Sequence, residues 1–295
     1  MPGLFRYSHT MQKTDEQLAT YIGESVRIAL AEDIGSGDLT ARLVPEEQKA
    51  RARVIVRDNA VVCGQPWFNE VFTQLDSRIT VNWLAEEGTA VVAGATLCEL
   101  NGPARPILTG ERTALNFLQT LSATATAAQA FRKAVEGSNA TILDTRKTLP
   151  GLRLAQKYAV RTSGAENHRT GLYDGVLIKE NHIAAAGGIS NAVATALNEI
   201  KSCLIEVEVE TLDEARQAIE AGANRLLLDN FSLDDLRAAV RLRDATKMQV
   251  GLEASGGVNL KTIRDIAETG VDFISVGAIT KDIKATDLSM LFETF

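Results

Sequence analysis

From about Phe117 onward, strands and helices alternate one for one, and this rhythm narrows the fold more than any other feature of the chain. Helical stretches near 105–121 and 125–135 lead into a strand at Thr141-Ile142-Leu143. A helix near 152–161, a strand at 175–178, a helix near 190–200 and a strand at 204–209 come next. Helix 212–221, strand 225–228, helix 233–242, strand 248–252, helix 260–268 and strand 273–276 complete the series. Strands separated by single helices specify a parallel sheet, because only parallel neighbours need a crossover.

Such a sheet is either open and doubly wound or closed into a (β/α) barrel. An open sheet binds ligand at one crevice, to which two or three strands contribute. Here nearly every strand ends in a polar residue or glycine: Asp144, Lys179, Glu208, Asp229, Ser255 and Gly277. A barrel gathers all its strand ends round one mouth, so the pattern selects the barrel. Glu208, Asp229, Glu253 and Gly277 recur every 21 to 24 residues, the length of one strand–helix unit. In the strand Ile205–Glu210, Ile205, Val207 and Val209 are expected to face the helices, with Glu206, Glu208 and Glu210 inward. Inward carboxylates need cations or a metal beside them. For Glu206 and Glu210 the expected partners are lysines of the barrel.

Before residue 115 the pattern is different. Strand-like runs at 53–56, 61–63 and 79–83 are punctuated by Asp58-Asn59, Gly64 and Gly88, with a helix from Pro66 to Leu75 between the last two. This is a small α+β domain. Gly88–Leu100 has the rhythm of a lipoyl- or biotinyl-carrier hairpin, but a carrier needs its lysine at the tip. None lies between Lys49 and Lys133, so a structural hairpin is expected.

Charge then locates the chemistry. The chain is acidic, with 31 Lys and Arg against 38 Asp and Glu and a net charge of -7. Yet Asp144 to His182 concentrates Arg146, Lys147, Arg153, Lys157, Arg161, Arg169 and Lys179, with His168 and His182. Local cations in an acidic chain build an anion pocket, whereas a nucleic-acid surface needs a basic stripe. No apolar run is long enough for a membrane helix, and Met1–Ser8 lacks the apolar core of a signal peptide. Cys63, Cys98 and Cys203 are odd in number and far apart, as expected of buried reduced thiols in a cytoplasmic protein.

Eight segments now stand in order: NGPARPILTGERTALNF, DTRKTLPGLR, NHRTGL, IKENH, EVEVE, LLLDNF, EASGGV and ETGVDFISVGA. Together they resemble quinolinate phosphoribosyltransferases, over a span from Glu32 to near the C-terminus. The resemblance implies an N-terminal α/β sandwich, residues 1–115, completed by a C-terminal helix within 282–295. It also implies an incomplete seven-stranded α/β barrel over 116–281, and a homodimer in which each sandwich helps close the partner's barrel. The implied reaction joins quinolinate to phosphoribosyl pyrophosphate with decarboxylation, giving nicotinate mononucleotide for NAD biosynthesis.

The residue types suit those substrates. Quinolinate carries two carboxylates, and planar arginine forks match carboxylates better than lysine does. By resemblance, Arg146, Arg169 and the partner subunit's Arg112 clamp quinolinate, while Thr145, Lys147, His168 and Lys179 complete the wall. Lys147 and Lys179 are both candidates to supply a proton after decarboxylation. Glu208 and Asp229 are expected to stabilise the developing ribose cation, bind its hydroxyls and hold Mg²⁺ through water and the substrate diphosphate. Ser255-Gly256-Gly257, followed by a helix, and Ser275-Val276-Gly277 one unit later form the expected 5-phosphate site, with Lys281 adding charge. Some relatives carry a polar residue in place of Gly257, which alters phosphate contacts and leaves the reaction intact.

Three other readings compete. A Schiff-base aldolase uses Lys179 but leaves Arg112, Arg146 and Arg169 idle. A related pyrophosphorylase-like protein associated with molybdate transport shares the fold, but the complete DTRKT, NHR and KEN set argues against it. A non-enzymatic scaffold predicts that Lys179→Met is harmless.

Overall fold

The computed structural model describes residues 15–200, 202–246 and 248–295, so the expectation for Met1–Ser8 lies outside the described residues. In chain order the elements are α1 (Asp15–Ile34), a 3₁₀ turn (Ala41–Leu43), β1 (Lys49–Val56), β2 (Ala60–Val61), α2 (Gln65–Leu75), β3 (Thr80–Trp83), β4 (Ala90–Val91) and β5 (Thr96–Pro103). Then come α3 (Ala104–Ala134), β6 (Thr141–Leu143), α4 (Arg153–Thr162), β7 (Val176–Ile178), α5 (Glu180–Ala186), α6 (Ile189–Glu199) and β8 (Ile205–Val209). The chain ends with α7 (Leu212–Glu220), β9 (Arg225–Asp229), α8 (Leu233–Thr246), β10 (Gly251–Ser255), α9 (Ile263–Ala267), β11 (Phe273–Ser275), α10 (Ala278–Lys281) and β12 (Leu288–Thr294).

Two compact units result. One contains 15–127, Pro150–Ser163 and Ile283–Phe295; the other contains Ala128–Leu149 and Gly164–Asp282.

In the first unit, β12, β1, β5 and β3 form an antiparallel sheet in that order. β1 alternates, burying Ala50, Ala52, Val54 and Val56. Against this core lie Trp67, Phe68, Val71 and Phe72 of α2, all buried. Each such side chain contributes about 1.5–3 kcal/mol on burial. Three sequence expectations are corrected here. The expected hairpin over 88–100 does not form: β4 pairs with β2, while β5 crosses between β1 and β3. The C-terminal segment is a strand paired antiparallel with β1, not a helix. The two helical stretches at 105–121 and 125–135 are one helix, α3. Its Thr124 and Thr126 hydroxyls donate back to the carbonyls of Thr120 and Ser122, so the hydroxyl-rich SATAT run stays helical.

The second unit holds a six-stranded parallel sheet in the order β6-β11-β10-β9-β8-β7. Beyond β6, Glu166 makes a single parallel bridge to Leu143, a one-residue seventh position. The sheet curls into a partial barrel, since His168, two residues past that bridge, touches Glu206 on β8 and Glu253 on β10. Outward residues such as Val207, Leu226, Leu228, Leu252 and Ile274 are fully buried under the helices. The fifth strand runs from Gly251 to Ser255, three residues later than 248–252. The charge at Glu253 argues for a strand end, but the barrel interior accommodates it.

Candidate active site

Register alone places the polar strand residues on one inner face. Glu206 pairs with Arg225 and Glu208 with Leu227, so Asp229, two residues on, shares that face. Leu227 pairs with Glu253, and Asp229 with Ser255. Lys179 follows β7 by one residue and shares the face of Leu177, which pairs with Glu206. Asp229 and Ser255 end their strands, and Lys179 and Glu208 lie within one residue of such an end, so one mouth collects them.

There Lys179 donates to Glu208 in a close, partly exposed ion pair. Asp229 accepts from the Asn230 side chain at 2.8 Å. These bonds engage Glu208 Oε2 and Asp229 Oδ2. An all-oxygen donor pair of this kind suits Mg²⁺, which takes few protein ligands when a diphosphate provides the others.

The cations occupy the loops beside this mouth. Asp144, fully buried at the end of β6, accepts from the His168 amide at 2.9 Å and from Asn167 Nδ2 at 2.6 Å, tying the NHR segment to the DTRK segment. Buried Asp174 accepts from the amides of Thr170 and Gly171, and Arg169 Nη1 donates to Gly175 O at 3.1 Å. Partial burial, followed by the neighbouring charge of Arg146, lowers the proton affinity of Arg169. Two guanidiniums that repel in a partly buried place have the donor geometry an anion could use. Lys147 is exposed, and its amide donates to Thr145 Oγ1 at 3.0 Å.

The glycine loops take a different form from the expected one. Gly256 has φ +99°, and a Cβ there would lie 2.1 Å from Asn230 Oδ1, so only glycine fits between the ends of β9 and β10. Ser255-Gly256-Gly257 does not open directly onto a helix; α9 begins six residues later, at Ile263, and is only one turn long. The Val276 amide is spent on Leu143 O at 2.9 Å, inside the sheet. Gly277 closes on the DTRK loop, where an added Cβ would sit 3.2 Å from Lys147 Cδ. Lys281 donates to both carboxylate oxygens of Asp282 at 2.6 and 2.7 Å. Arg112 belongs to the other unit and stands exposed on α3.

Beneath the mouth lies a buried polar network. His168 Nε2 is 2.8 Å from Glu206 Oε2 and 3.6 Å from Glu253 Oε1. Arg225 Nη1 donates to Glu253 Oε2 at 3.1 Å, and its guanidinium stacks 3.8 Å from the Phe273 ring centre. Glu206 thus partners a histidine instead of a lysine, and Glu210 lies outside the strand, exposed. Burial alone would pull His168 down, but Glu253 and Glu206 reverse this and its proton affinity rises. Burial, then the charge of Glu206, pushes Glu253 up to about 7. Sequence reasoning missed Arg225. The available signal was parity, since 225, 227 and 229 share one face. His182 serves locally, its Nδ1 accepting from the Lys179 amide at 3.0 Å. Cys63 and Cys98 are buried free thiols, whereas Cys203 is only partly buried.

Comparison with known proteins agrees with this geometry. Residues 124–291 match the C-terminal domain of quinolinate phosphoribosyl transferase, and residues 38–122 match its N-terminal domain. The probable nicotinate-nucleotide pyrophosphorylase [carboxylating] of Bacillus subtilis (strain 168) is 40% identical over 260 residues, covering 88% of this chain and 89% of its own. The protein of the same name from Synechocystis sp. (strain ATCC 27184 / PCC 6803 / Kazusa) is 41% identical over 262 residues, covering 88% and 89%. The solved nicotinate-nucleotide pyrophosphorylase of Francisella tularensis superposes with a TM-score of 0.90 at 49% identity, covering 93% of this chain and 97% of that one. With both domains matched in order and the curled parallel sheet in place, the chain belongs to the quinolinate phosphoribosyltransferase family.

Proposed function

We propose that the protein transfers the phosphoribosyl group of phosphoribosyl pyrophosphate to quinolinate, releasing pyrophosphate and CO₂ and giving nicotinate mononucleotide for NAD biosynthesis. The observation that carries this reading is the adjacency of Arg146 and Arg169 at the mouth that also holds Lys179, Glu208 and Asp229. Few substrates need a dicarboxylate clamp beside a pair of ribose-facing carboxylates.

In this reading Arg146 and Arg169 fork onto the two carboxylates, with Lys147 and Thr145 on the same loop. The pyridine nitrogen's lone pair forms the bond to the anomeric carbon as the bond from that carbon to the diphosphate oxygen breaks, its electrons leaving with pyrophosphate. Glu208 and Asp229 oppose the positive charge that builds on the ribose. They would also hold Mg²⁺, which supplies charge neutralisation for the diphosphate. The ring nitrogen is then cationic, so the bond to the adjacent carboxylate breaks, CO₂ leaves and the electron pair stays on the ring carbon. A proton from Lys147 or Lys179 closes the cycle. The 5-phosphate sits against Ser255-Gly256-Gly257 and the loop at Ser275-Gly277, the 1–115 sandwich packs in a homodimer, and the partner subunit's Arg112 completes the clamp. Free cysteines accord with a cytoplasmic setting.

The ion pair with Glu208 argues against the aldolase, whose lysine must present a neutral amine. The test is production of nicotinate mononucleotide from quinolinate, phosphoribosyl pyrophosphate and Mg²⁺ by wild type and by Arg146→Ala. Product from the first and almost none from the second is expected. A folded wild type that makes none overturns the reading and favours the molybdate-associated relative.

A further inference from the structure

The Arg169 amide donates to His168 Nδ1 at 2.8 Å. That nitrogen must therefore be bare, and the ring proton must sit on Nε2, directed at Glu206 Oε2. A bare Nδ1 makes the imidazole neutral. Among the described residues, Arg225 is then the cation that meets two fully buried carboxylates, Glu206 and Glu253. Both carboxylates also keep one buried oxygen, Oε1, with no hydrogen-bond donor. Two adjacent buried carboxylates cannot both stay ionised beside one cation.

We propose that Glu253 is protonated and donates to Glu206, and that Glu253 and Arg225 are positioning residues which hold His168 in the tautomer that sets Arg169 for the substrate's carboxylate. This rests on the phosphoribosyltransferase reading above for what Arg169 grips. The Glu206 and Glu253 side chains lie within hydrogen-bond reach of one another, and the buried Ser275 hydroxyl stands beside Glu253 as a further donor. A proton held between the two carboxylates leaves the network neutral: Glu206 negative, Arg225 positive, Glu253 and His168 uncharged. The upward shifts of His168 and Glu253 both report that the network retains an extra proton, and the Arg169 amide decides that the carboxyl side keeps it. His168, Glu206 and Glu253 also have the donor types of a metal site. Arg225 already provides the cation there, and the Nε2 proton occupies the position a metal would take.

The effect on catalysis is relayed. Were His168 an imidazolium, its Nδ1–H would oppose the Arg169 amide, and the backbone that carries the guanidinium would shift. An error of about 1 Å in such a clamp costs on the order of 10²-fold in rate.

The test is ¹⁵N NMR of histidine-labelled protein without substrates, run beside steady-state kinetics of wild type, Glu253→Gln and Glu253→Ala. Glutamine can still donate to Glu206 and accept from Arg225, so Glu253→Gln should keep His168 neutral with Nε2 protonated. It should also keep the quinolinate KM within about threefold, less than the loss of one ordinary hydrogen bond. Glu253→Ala, which strips partners from Glu206 and Arg225, should raise the quinolinate KM about tenfold or more, with the phosphoribosyl pyrophosphate KM unchanged. An imidazolium at His168 in the resting wild type overturns the proposal, as it would if water bridged two ionised carboxylates. So does a Glu253→Gln variant as impaired as Glu253→Ala, or a quinolinate KM that neither variant moves. The NMR signal needs no turnover, so failure of the reaction assay leaves the tautomer result standing by itself.

Discussion

Lys179 and Glu208 form an ion pair across the C-terminal ends of adjacent parallel strands, with the lysine side chain 43% exposed and the glutamate 15%. A pair this open to water contributes about 0–1 kcal/mol to stability. Its placement at a barrel mouth therefore accords with the functional role proposed for it. Lys179→Met should lower kcat by about 10²–10³, the loss typical of one transition-state donor. Thermal unfolding should move little. Calorimetry beside the product assay checks both, and a large fall in melting temperature with unchanged kcat would reassign the lysine to structure.

Arg146 and Arg169 repel one another in partial burial, so an anion between them relieves strain as it binds. Quinolinate without phosphoribosyl pyrophosphate is not consumed and should raise the melting temperature. At a concentration of 100 Kd the stabilisation is about 2.7 kcal/mol. Arg169→Lys should lose most of that shift despite keeping the charge, because a point charge cannot match the two parallel bonds of a guanidinium. Differential scanning fluorimetry across a quinolinate titration gives the answer.

Gly256 holds the ends of β9 and β10 in close approach, and Asn230 opposite it has φ +56°. Gly256→Ala forces a methyl group onto Asn230 Oδ1 and onto a backbone nitrogen 3.0 Å away. The strained backbone should cost about 1–3 kcal/mol. In the proposed function this loop meets the 5-phosphate, so the KM for phosphoribosyl pyrophosphate should rise more than that for quinolinate. Equal rises would argue for general unfolding of the mouth.

Much of this site was legible in the sequence because parallel strands and polar strand ends are local signals. Six strands separated by helices, and the inward parity of Glu206 and Glu208, follow from periodicity. What failed was whatever depends on partners distant in sequence. The 88–100 run looks like a hairpin because its turn is local, yet β4 finds β2 and β5 finds β1. The C-terminal run resolves as a strand only once β1 offers an edge. Glu253 reads as a strand end because a buried charge is costly alone. Its compensation, Arg225, lies on another strand 28 residues earlier.

Glu253 also sets a pH signature of stability. Its folded value, about 7, lies above the ordinary 4.5 because burial and then Glu206 penalise the carboxylate. The native state therefore holds a proton that the unfolded chain releases above about 4.5. The resulting stability is fully present below the unfolded value and is lost as pH rises through about 7. The difference in unfolding free energy between wild type and Glu253→Gln should fall across that window and stay flat on either side. Denaturant titrations of the two proteins from pH 4 to 8 measure it; a flat difference throughout would mean Glu253 ionises normally in the fold.

Arg112 gives the last prediction, since it stands exposed on α3 in a unit separate from the barrel cations. An exposed arginine on a helix is ordinarily neutral to stability, and Arg112→Ala should fold like wild type. If the partner subunit's Arg112 completes each quinolinate clamp, that variant is nonetheless inactive, and so is Arg146→Ala. Mixing the two inactive proteins under subunit exchange then builds heterodimers in which one site has both arginines intact and the other lacks both. Activity should reappear on mixing, in proportion to the heterodimer formed. If Arg112 served the barrel of its own chain, each site of a heterodimer would lack one arginine and the mixture would stay inactive. Following nicotinate mononucleotide formation during exchange, with sedimentation to count the heterodimer, separates the two arrangements.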